Sequence, residues 1–238
     1  MSMRIALVTG AARGMGRAIA LRLAADVSGV AIHYFSRRDE AQELAAVIRD
    51  KGKMAAVFRA DLTKKAQAAG LVKKVEERFA RLDVLVNNVG PFLVKPWDQL
   101  EVADWESALR GNLLAPYFCL KAALPGMRKR KWGRIVNIGY SRAEHLGAFP
   151  TIAPYAVAKT GLLTLTRTAA AAEVGNGITV NMVSPGLIRG GVLPQVRDLA
   201  ESRLGTFEDV AEAVAYCASD RAAAVTGSHV IVSGTWKM

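Results

Sequence analysis

Strand-like and helix-like stretches alternate from one end of this chain to the other, and that alternation leaves few ways to fold. A βα repeat buries its strands in a parallel sheet and lays its helices over both faces. Strands are expected over Arg4–Thr9, Val30–Phe35, Met54–Arg59, Asp83–Asn87, Gly133–Ile138, Ile178–Val183 and His229–Val232. Helices are expected over Gly14–Ala25, Asp39–Lys51, a segment faced by Val72, Val75 and Phe79, Pro154–Glu173 and Phe207–Ser219. A long helical region, Asp98–Arg130, contains Gly111 and Pro116, which can bend it. The expected fold is α/β, a single Rossmann-type domain over 1–238 with a doubly wound parallel sheet of about seven strands.

Composition agrees. A chain of 238 residues with 51% hydrophobic and 22% charged residues is a soluble globular protein with room for a full core. No apolar stretch is long enough to span a membrane, and the start of the chain reads straight into a strand without a signal peptide. A cytoplasmic location is expected. Cys119 and Cys217 lie in apolar helical stretches and read as small core residues. His33, His145 and His229 are scattered, so no metal site is expected. The net charge of +11 is spread along the chain. Its one dense run, Arg128-Lys129-Arg130-Lys131, falls where a helix ends and cations are favoured; a solvated helix end fits it better than a docking patch. No nucleic-acid reader motif is present.

Chemistry starts at the end of the first strand, with Thr9-Gly10-Ala11-Ala12-Arg13-Gly14-Met15-Gly16. Glycine permits the tight turn, and a bare backbone lets a pyrophosphate come close. The helix that follows presents free N–H groups and a positive dipole end. After the second strand, a site for NAD would place an acidic residue on the ribose 2′-hydroxyl. Here the residues are Tyr34-Phe35-Ser36-Arg37-Arg38. Guanidinium groups suit a 2′-phosphate, and Arg13 can approach from the turn, so NADP(H) is favoured over NAD(H).

These landmarks, in this order, resemble the short-chain dehydrogenase/reductase family over nearly the whole chain. The family's TGxxxGxG turn is Thr9–Gly16, followed by Asp61 after the third strand, then Asn87-Asn88-Val89-Gly90, then Tyr155-Ala156-Val157-Ala158-Lys159, and Pro185-Gly186 after the sixth strand. The resemblance implies a cofactor held by Gly10, Arg13, Gly14, Met15, Gly16, Arg37, Asp61, Leu62, Asn88, Gly90, Tyr155, Lys159, Pro185, Gly186 and Ile188. Within it, Asp61 would contact adenine and Lys159 the nicotinamide ribose. Catalysis would rest on Asn112, Ser141, Tyr155 and Lys159, with Asn112 holding a water of the proton relay.

The Tyr155–Lys159 pair also makes sense by itself. Residues four apart share a helix face. Reducing a carbonyl requires a hydride at carbon and a proton at oxygen, and a phenol with a reference pKa of about 10 is a poor acid near neutrality. An ammonium at about 4 Å, with an effective dielectric of about 20, attracts the phenolate by roughly 4 kcal/mol. That would lower the tyrosine pKa by up to about three units before desolvation is counted.

Four positions depart from the family pattern. The loop after the fifth strand is longer than usual, so the catalytic serine corresponds to Ser141 or its task passes to Tyr140. The carboxamide-gripping threonine is replaced by Gly190. The substrate lid, Leu187–Gly205, is short, and the C-terminal glycine pair is replaced by Ser233-Gly234-Thr235-Trp236.

The overall look is that of 3-oxoacyl-carrier-protein reductases, which implies a small or carrier-bound carbonyl substrate. A reductase of pteridines or other cyclic C=N substrates is the enzyme alternative. A protein that binds NADPH as a sensor or scaffold is the alternative of another class. Leu113, Leu114, Phe118 and Leu120, with Leu162, Leu163 and Leu165, offer more apolar surface than one core face needs, so a homodimer or homotetramer is expected.

Overall fold

The structure is a computed structural model that describes residues 3–190 and 204–234. Its strands are β1 (Ile5–Val8), β2 (Gly29–Tyr34), β3 (Met54–Arg59), β4 (Val84–Asn87), β5 (Gly133–Ile138), β6 (Ile178–Pro185) and β7 (His229–Val232). They form one sheet in the order β3-β2-β1-β4-β5-β6-β7, and every pairing is parallel. All four residues of β1 are fully buried, as a strand covered on both faces must be.

On one face lie α1 (Gly14–Asp26), α2 (Arg38–Asp50) and α7 (Phe207–Ala218), whose Ile19, Leu23, Leu44, Ile48, Val210 and Val214 share a core with Val8, Val30 and Val86. On the other lie α3 (Lys65–Phe79) and α5 (Ala115–Arg130), where Leu71, Val75, Leu124 and Met127 pack with Ile5, Leu7 and Leu85. Helix α6 (Ala153–Glu173) covers β6 on this second side, with Leu162 and Leu163 against Met182.

The strand order reverses between β1 and β4. In open α/β sheets the crevice at that point, at the carboxyl ends of the strands, is where ligands bind. The residues after β1 are Thr9 and Gly10; those after β4 are Asn88 to Gly90.

The long helical region is interrupted. Helix α4 (Val102–Leu109) runs into a π-helical turn, Arg110–Leu114, before α5 begins. Gly111 is required there, since a Cβ would collide with the Pro91 ring. Pro116 sits in the first turn of α5, directly after the π turn, whereas Pro125 lies inside that helix. Single π turns gather at functional sites, and this one carries Asn112.

The dense basic run is part of the architecture. The Arg128 guanidinium pairs with Glu173, and Arg130 donates to the Leu82 carbonyl and lies 3.3 Å from the buried Asp83 carboxylate. Both cysteines are buried in the core, and burial pushes their thiols up to about 12 for Cys119 and about 11 for Cys217. Leu120, Leu162 and Leu163 correct the expectation of surplus apolar surface: they are core residues. Tyr117 and Val157 are exposed instead, and Leu113, Leu114, Phe118 and Leu165 are half-buried. Among the described residues, no helix is long and apolar enough to cross a membrane.

Candidate functional site

The glycine turn is held by residues from three strands. Gly10 and Gly14 adopt φ values of +62° and +52°, which favour glycine. A Cβ on Gly16 would overlap the Gly10 carbonyl and come within 2.7 Å of Asn88 Nδ2. The Asn88 amide nitrogen donates to the Thr9 and Gly10 carbonyls, and the Thr9 hydroxyl accepts from the Asn88 and Val89 backbone. The turn is therefore built before any ligand arrives.

His33, which sequence reasoning passed over, completes this frame. The Gly10 N–H donates to His33 Nδ1 at 3.0 Å, so the proton resides on Nε2 and is donated to the Ala60 carbonyl at 3.0 Å. Burial pushes the imidazole pKa down to about 4. The signal was a titratable side chain in an otherwise apolar, fully buried strand.

Arg13 and Arg37 stand at the starts of α1 and α2. Arg37 is half exposed and pairs with Glu40 at 3.1 Å. Asp61 accepts from the Thr63 hydroxyl at 2.6 Å and its N–H at 3.0 Å, and these bonds hold its carboxyl below the usual range. Leu62 and Ile188 turn into the core, and Met15 packs partly against it. Gly90 lies against the Asn112 side chain. Asn112 donates to the Pro91 carbonyl at 2.8 Å, while its buried Oδ1 has no hydrogen-bond partner among the described residues.

Tyr155 and Lys159 share one face of α6, with the Lys159 Nζ 5.7 Å from the tyrosine ring centroid. Nζ donates to the Ile138 carbonyl at 2.6 Å. Burial lowers the Lys159 pKa to about 7 and raises that of Tyr155, with Tyr140 adding to the latter. This corrects the expected lowering by Lys159. In the protein alone, desolvation outweighs the attraction, because the ammonium itself resists its charge and spends a hydrogen bond on the end of β5.

Around Tyr155 stand other rings. Phe92 meets it edge-on at 4.8 Å between centroids, Tyr140 at 5.6 Å, and Phe149 meets Tyr140 at 6.2 Å. Of the two loop candidates, Tyr140 is the one in ring contact with Tyr155; Ser141 is buried in the turn beside it.

Pro185 ends β6, and Gly186 packs so closely on Ser233 that a Cβ would come within 2.6 Å of its Cβ. Gly190 has a physical reason. Its φ is +80°, and a Cβ would meet the Phe207 ring at 3.4 Å, so the threonine of the family pattern would be strained here. The two ends of the expected lid are stapled together: Ile188 bridges Gly205, and Arg189 N–H donates to the Gly205 carbonyl at 2.9 Å. Residues 191–203 of that lid, with Thr235 and Trp236, lie outside the described residues.

A cradle of bare backbone at the sheet's switch point, beside a buried tyrosine–lysine pair, defines a nicotinamide-dinucleotide-dependent oxidoreductase. The comparisons carry this one step further. A family profile described as enoyl-(acyl carrier protein) reductase matches residues 10–236. The 3-oxoacyl-(acyl-carrier-protein) reductase of Staphylococcus epidermidis is 33% identical, over 96% of this chain and 97% of that protein. D-beta-hydroxybutyrate dehydrogenase of Rhizobium meliloti is 31% identical, over 98% of each. A blue fluorescent protein from a metagenomic library, solved in complex with NADPH, superposes with a TM-score of 0.88 at 33% identity over 99% of this chain and 98% of that one. The chain belongs to the short-chain dehydrogenase/reductase family.

Proposed function

We propose that this protein reduces a carbonyl substrate with NADPH, as a 3-oxoacyl-(acyl-carrier-protein) reductase does. One observation carries the reading: Lys159, buried and fixed to the Ile138 carbonyl, shares a helix face with Tyr155 and keeps its remaining N–H bonds for a ligand. The residues fit a dinucleotide. The cradle at Gly10, Gly14 and Gly16 admits phosphates that a Cβ would obstruct, and the free Asn112 Oδ1 can accept from a water or ribose.

The bound cofactor would supply the hydride. Tyr155 delivers a proton to the carbonyl oxygen as it becomes an alcohol, and its phenolate is then reprotonated from solvent through Asn112-bound water and Lys159. Ser141 or Tyr140 polarises the carbonyl from the loop after β5. Arg13 and Arg37 favour the 2′-phosphate.

A cytoplasmic enzyme acting as a homodimer or homotetramer, built from the one domain, completes this reading. The rings of Phe92, Tyr140 and Phe149 favour a second substrate class, since they wall the Tyr155 site with flat apolar surfaces suited to a pteridine or other cyclic C=N compound. NADPH oxidation measured against acetoacetyl thioesters, diketones, quinones and dihydropterins decides among these. Turnover of the thioesters supports the first reading and turnover of dihydropterins alone the second. Tight NADPH binding with no turnover of any of them overturns both in favour of a sensor.

A further inference from the structure

Ser184, His229 and Glu144 stand in a row outside the Tyr155–Lys159 pair. His229 Nε2 lies 2.7 Å from Ser184 Oγ, and His229 Nδ1 lies 3.3 Å from Glu144 Oε2. The three come from separate elements. In the parallel register His229 of β7 pairs with Met182 of β6, which puts its side chain on the same face as Ser184, two residues on. Glu144 reaches down from the loop that follows β5.

The row has the residue types of a hydrolytic triad, but its burial argues against that use. Ser184 is fully buried and the His229 side chain is 2% exposed, so no acyl group could reach the hydroxyl. Gly139 closes the approach, because even a Cβ there would overlap Ser184 Oγ.

What the row touches is the loop itself. Gly139 is the root of the loop and lies directly on Ser184, while its N–H donates to the Val183 carbonyl at 2.8 Å. Glu144 is further along the same loop. Tyr140 and Ser141, the two residues able to polarise a substrate carbonyl, lie between these two points. One imidazole thus contacts the loop directly at Glu144 and, through Ser184, is linked to its root at Gly139.

The charges favour this arrangement. His229 and Arg167 of α6 are the cationic or donor groups facing Glu144, and together they hold its carboxyl below the usual carboxylate range. An ionised Glu144 can only accept. The Nδ1 proton therefore faces Glu144, and Nε2 accepts from the Ser184 hydroxyl. Nδ1 is buried and makes no hydrogen bond among the described residues, so its contact with Glu144 at 3.3 Å is electrostatic. The Thr160 hydroxyl adds a third tie, to the Ala143 carbonyl at 3.1 Å.

We propose that His229 is a positioning residue for carbonyl reduction, holding loop 139–144 against β6 through Ser184 and Glu144. This rests on the reductase reading above. The displacement of a polarising group by about 1 Å costs on the order of a hundredfold in rate, so a loosened loop is expected to lower kcat by tenfold to a hundredfold. The NADPH Kd, for which the proposed contacts are the glycine turn, Lys159 and the end of β6 rather than loop 139–144, is expected to stay within about twofold.

Two measurements on the full chain test this. Amide hydrogen exchange should quicken several-fold over residues 139–146 in His229→Ala, with the glycine turn unchanged. Glu144→Ala, which removes a half-exposed side chain and leaves the core intact, should loosen the same segment if His229→Ala fails to fold. His229→Gln keeps a donor and an acceptor on a planar group and should recover part of the protection and part of kcat. Unchanged exchange over 139–146 in both alanine variants overturns the brace, whether or not any carbonyl is reduced. A loosened loop with wild-type kcat overturns the positioning role. Absence of reductase activity in the wild type counts against the reductase reading, and the exchange result still decides the brace.

Discussion

His33 accepts a hydrogen bond from the Gly10 N–H, joining β2 to the turn that would cradle a pyrophosphate. The bond exists only while Nδ1 is unprotonated. Its pKa is lowered from 6.5 to about 4, so the unfolded chain takes up a proton before the folded one does. Stability from this residue is complete above pH 6.5, falls as the pH drops toward 4, and changes no further below that. The loss amounts to about 3 kcal/mol across the window. His33→Asn keeps an acceptor near Gly10 and cannot titrate. Its urea midpoint is expected to fall less steeply than that of the wild type between pH 6.5 and 4; identical slopes would refute the assignment.

Gly16→Ala tests the cradle without touching charge. The added methyl overlaps the Gly10 carbonyl and presses on Asn88 Nδ2, both fixed in the turn. Helix α1 must move away from the turn, and NADPH affinity should drop at least about tenfold, or more than 1.4 kcal/mol. Titration by cofactor fluorescence measures it. Gly70→Ala is the control, since nothing lies within 4 Å of a Cβ there, and it should bind as the wild type does.

In the proposed reading Arg13, Arg37 and Arg38 set the cofactor preference, and the structure adds Glu40 beside Arg37. Paired with Glu40, Arg37 is partly neutralised. Replacing Arg37 and Arg38 with alanine should narrow the gap between NADPH and NADH. Glu40→Gln should widen it by releasing the guanidinium. Equal wild-type affinity for the two cofactors in a titration would sink the 2′-phosphate reading.

The strands and most helices were legible in the sequence because burial on both faces writes continuous apolar runs, as in Ile5–Val8 and Val84–Val86. The interruption at Arg110–Leu114 was legible only as a glycine and a proline, since a π turn depends on what lies opposite, here Pro91. The glycine turn and the Tyr155–Lys159 pair were legible because their chemistry needs particular residues at fixed spacing. His33 and His229 were not. Each acts through a partner on a neighbouring strand, and strand neighbours are a property of the sheet order, which no local pattern encodes.

Assembly is expected from what the fold leaves uncovered. Tyr117 on α5 and Val157 on α6 are exposed, Phe118 and Leu165 are half-buried on the same two helices, and Leu113 is half-buried in the π turn that leads into α5. Apolar side chains concentrated on two neighbouring elements suit a two-fold interface. Light scattering should give a dimer or tetramer at micromolar concentration. Tyr117→Glu with Val157→Glu should shift the mass toward the monomer, and a wild-type monomer would refute the expectation.

The site chemistry is tested most directly at Tyr155 and its neighbours. Tyr155→Phe keeps the ring and its edge contacts with Phe92 and Tyr140, so NADPH should still bind. Turnover should fall at least about a hundredfold, the scale of a lost general acid. Lys159→Ala removes the buried ammonium that Ile138 holds and should cost both turnover and cofactor affinity. Burial lowers its pKa to about 7, so in the protein without cofactor Lys159 should lose its proton as the pH rises through neutrality, which an NMR titration of the ammonium would show. Ser141→Ala and Tyr140→Phe separate the loop candidates. The one that polarises the carbonyl should lose about a hundredfold in kcat, as for a missing oxyanion donor, and the other should stay near wild type. Ring contact with Tyr155 makes Tyr140 the costlier loss if the hydroxyl that matters must lie beside the proton donor. A substrate reduced equally fast by the wild type and by Tyr155→Phe would refute this role for Tyr155, whatever the two loop variants do.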